Sequence, residues 1–360
     1  MDRIVLAGAG DVILDRPDPK TAFQYVAPIF READITYVNM EQVLADDGVP
    51  HPCQSVSKGS RFIEAYTDAE VDVVSCATNH AMDWGEEGLV GTLETLDAAG
   101  VAHCGTGRTL DEARKPVILE RGGQRVGFLN YCSVARPEYD ADVDKAGIAP
   151  LKVHTLYEQV DFQPATPPRI VSLPTKESRD MICADIRALK EQVDVVVVAF
   201  HWGQHLVPAV VPMYCIEMAH DAIDAGADLI IGAHTHILKG IEVYRGKTIY
   251  YSLGNFVLDF GDAFHDTRLI DSLDAHYKPT PESRVDRNKT MIVKAYIEDG
   301  QVVQTGFVPA MINADGDPMP VKRGGEGDAV VAYMELITEE AGLNARYEWV
   351  SDEEVAIRER

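Results

Sequence analysis

Ala227-Asp-Leu-Ile-Ile-Gly-Ala-His-Thr-His236 is a short apolar run that ends in glycine, with two histidines two residues apart just beyond it. A buried strand that stops at glycine and hands polar groups to the next loop is where open α/β sheets place their sites. If the residues after Gly232 continue extended, the two-residue strand period points His234 and His236 the same way. Two imidazoles facing one way form half of a divalent-metal site. A pair of solvated loop histidines has the same spacing, so the rest of the chain has to decide.

Several other segments share this form. Arg3 to Asp11 reads as a strand ending in an acid, as does Ile35 to Glu41. Val71 to Cys76 is a third strand, followed by the loop Ala77-Thr-Asn-His-Ala-Met-Asp-Trp-Gly85. Val193 to Phe200 is almost continuously apolar, the pattern of a strand buried on both faces, and His201-Trp-Gly-Gln-His205 follows it. Helices are expected over 21–31, 62–69, 86–99, 180–190, 212–225 and 329–345. Hairpins are expected around Gly122-Gly123, Arg245-Gly246 and Asp299-Gly300. Residues 133–179 are rich in proline and read as a long excursion able to wall a cleft, with a second excursion at 262–289. Strands alternating with helices, then hairpins, place parallel sheet at the centre and antiparallel strands outside.

Strand ends on one rim bring together Asp11, Glu41, Asn79, His201, His234 and His236. Two carboxylates, an amide oxygen and three imidazoles suffice for two divalent ions, with Glu41 or Asp11 as the bridge. His80, beside Asn79, is left free for proton transfer, and Asp83 can orient its other ring nitrogen. Each residue also has a plain structural explanation. Asp11 suits a turn cap, Glu41 a solvated strand end, His201 a core-edge histidine, and Asp83 or Gly85 a helix start. His205 falls on a different phase and faces the cleft at most, while His103, His154 and His220 read as surface or packing residues.

Composition narrows the classes. The 360 residues are 46% hydrophobic with a formal net charge of -25, which argues against nucleic acid or an anionic membrane as partner. No run is long enough to span a membrane and no signal peptide is read. The six cysteines form no CxxC pair and read mostly as small buried hydrophobes in a reducing cytoplasm.

The motifs Gly10-Asp11, Asn39-Met-Glu41, Thr78-Asn-His-Ala-Met-Asp-Trp-Gly85, His201-Trp-Gly203, Gly232-Ala-His-Thr-His236 and Tyr251-Ser-Leu-Gly-Asn-Phe256 resemble, in order, those of the capsule-synthesis CapA family. That family, of the poly-gamma-glutamate synthesis type, is similar to the calcineurin-like metallophosphoesterases. The resemblance implies an α/β fold, a four-layer αββα sandwich around a dinuclear metal site. It places Asp11, Glu41, Asn79, His201, His234 and His236 on metal-ligand positions, with His80 as proton donor or base. Two ions, Mn, Zn, Fe or Mg, are the cofactors expected. Three positions depart from the pattern. Ile13 stands where the phosphoesterases have a histidine, Glu41 where they usually have aspartate, and Thr235 where the CapA family commonly has proline. The family's frequent amino-terminal anchor is not expected here.

The organisation expected is a catalytic domain over 1–325 and a helix with tail over 326–360 packed on it. The leading function is metal-dependent hydrolysis of a phosphoester or a gamma-glutamyl-type amide in a small-molecule or peptide-like substrate. Two rivals remain: a metal-independent acid/base epimerase or isomerase, and a non-catalytic factor for polymer synthesis.

Overall fold

A strand covered on both faces reads as a nearly continuous apolar run, and Val195–His201 at the centre of this protein is apolar up to its final residue. The structure, a computed structural model, describes residues 2–52, 56–161, 166, 168–259 and 286–360. Its two large sheets have ten and six strands. In the first, Ile4–Ile13, Ile35–Met40, Val73–Ser75 and Ala102–Cys104 run parallel to their neighbours. On the other side of Ile4–Ile13, Lys289–Glu298 and Gln301–Ile312 continue the sheet antiparallel. In the second, Gln124–Cys132, Val195–His201, Leu229–Ala233 and Lys247–Tyr250 run parallel, with Val117–Arg121 and Ile241–Tyr244 antiparallel at the edges.

The sheets pack face to face. Leu6, Tyr37, Val73 and Val293 of the first interleave with Phe128, Val197 and Ile231 of the second in one buried cluster. The Tyr37 and Phe128 rings stack there with centroids 6.3 Å apart. The alternate residues serve the outer faces. Ala7, Ala9, Val38 and Val74 meet Phe23, Phe30, Phe62 and Tyr66 from the turns and short helices beneath. Val196, Val198 and Ile230 meet Ile182 and Ile186 of helix Lys176–Lys190 and Met218 and Ala222 of helix Met213–Ala225. The result is helix, sheet, sheet, helix: the four layers expected, with parallel strands buried on both faces as such strands require.

Some elements differ from the sequence expectation. The helix expected over 21–31 is a turn at Pro19–Phe23 and a separate helix Ala27–Arg31. Pro28 lacks the N–H that a continuous helix needs at that point. The excursion at 133–179 contains a two-stranded ribbon, Val153–Glu158 with Arg169–Pro174. The terminal helix is Glu326–Glu340, and Gly342, at φ 70°, turns the chain into the hairpin Ala345–Trp349 and Val355–Glu359. Val330, Met334 and Ile337 of that helix belong to the inter-sheet cluster. The excursion expected at 262–289 falls, up to residue 285, outside the described residues. Cys76, Cys104, Cys132, Cys183 and Cys215 are free and buried, and Cys53 is outside the described residues. Among the described residues no helix is long and apolar enough to cross a membrane.

Candidate metal centre

Asp11 owes its position to an irregularity. Gly10 is an extra residue in the ladder between Ile4–Ile13 and Ile35–Met40, a bulge that re-aims the side chain after it. Only glycine fits: a Cβ on residue 10 would lie 2.2 Å from the Gly254 carbonyl oxygen. Gly232 is under the same constraint, 2.1 Å from the Tyr251 carbonyl oxygen. The Asp11 carboxylate is fully buried and accepts from Asn39 Nδ2 at 2.8 Å and from the His234 backbone N–H at 3.1 Å. It is therefore no turn cap.

Glu41 follows its strand directly and is also fully buried. Neither carboxylate oxygen has a hydrogen-bond partner. Its Oε1 lies 3.4 Å from His201 Nε2, 3.7 Å from His80 Nε2 and 3.9 Å from His236 Nε2. Burial pushes the Glu41 carboxyl up to about 8, against the pull of His80 and with a further push from Asp83. Asp11 is raised well above the carboxylate range, by burial first and then by Glu41. A buried carboxylate without donors is costly, and a cation is what would relieve it.

The imidazoles come from the second sheet. His201 ends Val195–His201, and its Nε2 donates to Asn79 Oδ1 at 2.7 Å. Burial lowers its pKa to about 4. His234 and His236 lie beyond Leu229–Ala233 in a bend, not in extended backbone, with φ of 93° and 56°. The two-residue strand period therefore does not align them. The bend does, with ring centroids 6.3 Å apart. Left-handed backbone at two non-glycine residues is strain of the kind found at functional sites. His236 Nδ1 donates to Asn255 Oδ1 at 2.7 Å, which fixes its ring. Burial holds both histidines neutral, well below the usual imidazole range. Neutral imidazole is the form that binds metal.

Two sets of ligand atoms each lie within 4.8 Å of one another: Glu41, His201 and His234, and Asp11, Glu41 and His236. Glu41 is common to both. The expected residues thus meet, but at a rim built from two sheets rather than one. Acids from the parallel half of the first face imidazoles from the centre of the second.

His80 stands at the edge of this group. Its Nδ1 donates to Asp83 Oδ2 at 2.7 Å, and Asp83 also accepts from Val56 N and from the Tyr139 hydroxyl. Asp83 is therefore occupied with His80 and does not cap the following helix, whose N-cap residue Trp84 makes no side-chain cap bond. Burial alone would lower the His80 pKa, but the Asp83 hydrogen bond, aided by Glu41, leaves it raised.

Sequence reading missed Asn39 and Asn255 as positioning residues and Ser75 behind Asn39. Ser75 Oγ donates to Asn39 Oδ1 at 2.8 Å and lies 2.7 Å from the Tyr37 hydroxyl. One signal was available. Asn39 shares the inward face of its strand with Tyr37, and a polar residue there must be hydrogen-bonded. His205 was placed at the cleft wall at most, yet its ring lies 3.9 Å from that of His234 and 5.1 Å from that of His236. His103 and His220 make local contacts with Asp97 and Glu242.

Residues 4–260 match the family described as bacterial capsule synthesis protein PGA_cap. The chain belongs to this family. Among PGA_cap relatives, the PGA biosynthesis protein CapA of Bacillus subtilis is 29% identical over 269 residues, 70% of this chain and 62% of that protein. A probable polyglutamine synthesis accessory protein of Mycobacterium tuberculosis is 29% identical over 235 residues, 63% of this chain and 56% of its own length. The chain thus spans about three fifths of the length of such relatives. Of solved structures, the calcineurin-like phosphoesterase YfkN from Bacillus subtilis aligns at 12% identity and a TM-score of 0.42, covering 94% of this chain and 97% of that one. The four-layer fold is read from the packing described above and not from that likeness.

Proposed function

We propose that this PGA_cap protein is a metal-dependent hydrolase of a phosphoester or a gamma-glutamyl-type amide. The observation that carries the proposal is Glu41, fully buried with both oxygens unpartnered and shared by two sets of ligand atoms. Asp11, Glu41, Asn79, His201, His234 and His236 would hold two divalent ions, Mn, Zn, Fe or Mg, Glu41 being common to both sets of ligand atoms. The donor set fits: carboxylate, amide oxygen and neutral imidazole, with Asn39 and Asn255 orienting Asp11 and His236. When bound, such a pair of ions activates water and polarises the oxygen of the scissile group.

The chain's own contribution is proton placement. Asp83 holds His80 Nδ1–H, so a second proton on the raised imidazole sits on Nε2, which faces the centre 3.7 Å from Glu41. That proton is positioned for a leaving oxygen or nitrogen. The bare, partnerless Glu41 favours this reading over metal-free epimerisation, where both acids would need proton partners already in place.

The test is metal content together with turnover of a panel of phosphomonoesters, phosphodiesters and gamma-glutamyl peptides. Wild type with two equivalents of metal should turn over one class, and His234→Ala and Asn79→Ala should lose most of that rate. Full activity in both variants refutes the proposal. A second reading is a non-catalytic factor in polyglutamate or capsule polymer synthesis. It is favoured by the accessory role in the name of one relative, and it predicts metal binding without turnover on any substrate.

A further inference from the structure

Four buried polar atoms without a hydrogen-bond partner belong to residues at or against the proposed centre: Glu41 Oε1, Glu41 Oε2, His234 Nδ1 and His205 Nε2, the His205 ring lying 3.9 Å from that of His234. All four can accept, and buried acceptors left bare are costly unless a cation or a donor meets them. Three belong to residues already assigned. The fourth does not.

His205 is built into its place. Trp202 N and Leu206 N, on either side of it, bond the carbonyls of Ala233 and Thr235, which flank His234 in the bend. Gly203 N donates to the Tyr214 hydroxyl at 2.7 Å, and the buried Lys239 ammonium donates to the Val207 carbonyl. Leu206 takes a left-handed φ of 56° to allow this path. The His205 ring lies against that of His234, with centroids 3.9 Å apart and planes tilted by 31°. A buried imidazole nitrogen that meets no protein partner can offer its lone pair to a metal ion, and His205 Nε2 is such an atom.

We infer that His205 is a further ligand residue of the metal centre, offering Nε2 to a divalent ion beside the His234–His236 pair. The inference rests on the metal-centre reading above. His205 is in neither compact ligand set, and its ring lies 3.9 Å from that of His234 and 5.1 Å from that of His236, so it would join the centre from the loop side. With it the centre has four imidazoles, a set that suits Zn, Fe or Ni better than Mg or Ca.

The test is direct metal binding. Chelator-stripped protein is titrated with Zn²⁺ by calorimetry and with Co²⁺ by visible absorption, for wild type, His205→Ala, His205→Phe and the surface control His154→Ala. The Phe variant keeps a ring on His234 while removing the nitrogen, so it remains informative should the Ala variant not fold. The expected result is about 10-fold or greater weakening of one of two sites and an altered Co²⁺ spectrum in both His205 variants, with the control unchanged. Unaltered affinity and spectrum in His205→Phe would show a packing role only and overturn the inference while leaving the metal centre intact. Wild type that takes up neither ion overturns both.

Discussion

Replacing Glu41 by Gln should strengthen the metal-free protein at high pH and weaken the metal-loaded one. The carboxyl is fully buried, and its pKa rises from 4.5 to about 8. A carboxyl with a raised folded pKa holds its proton more tightly folded than unfolded. Its contribution is then most favourable below pH 4.5 and is lost as pH rises toward 8. At 1.36 kcal/mol per pH unit, the full interval is worth about 5 kcal/mol, a ceiling that relaxation and water entry will reduce. Glu41→Gln keeps the shape and removes the charge. In chelator, the two proteins should therefore be equally stable near pH 4.5, with wild type falling behind by several kcal/mol at pH 8.5. With Zn²⁺ or Mn²⁺ at 1,000 times its dissociation constant, wild type should recover about 4 kcal/mol, and the variant much less. Urea unfolding at pH 4.5, 6.5 and 8.5, with chelator and with metal, reads all of these. A stability difference that does not grow with pH, or equal metal stabilisation of both proteins, would refute the reasoning.

Asp83→Asn should lower the His80 pKa by exchanging the charged acceptor of its Nδ1–H for a neutral amide oxygen. A general acid must be protonated, so the alkaline limb of kcat/KM against pH should move to lower pH, and an unmoved limb would exclude His80 as the acid. Asn255→Ala leaves His236 Nδ1 without its acceptor and should weaken metal binding by about 10- to 100-fold, measured by calorimetry. Gly10→Ala drives a methyl group into the Gly254 carbonyl and should cost about 1–3 kcal/mol or more in urea unfolding, with loss of metal affinity as Asp11 shifts.

The amino-acid sequence determined the central strands, though not the ribbon Val153–Glu158 with Arg169–Pro174 or the terminal hairpin. Runs such as Val195 to Phe200 are apolar at every position because both faces are covered, and that is readable locally. It also marked the polar residues at those strand ends, because an acid or histidine after an apolar run is conspicuous. It did not determine how they meet. Asp11 reaches His234 across 223 residues, and His201 reaches Asn79 across 122. Those contacts exist only once two sheets are stacked on Tyr37 and Phe128. The left-handed bend at His234 and His236 was illegible for the same reason. Its strain is tolerated because Asp11, Asn255 and the His205 loop hold it from three sides, and none of these is a neighbour in sequence. Local chemistry marked the candidate ligands, and long-range packing alone decided that Glu41 would stand buried and unpartnered among them.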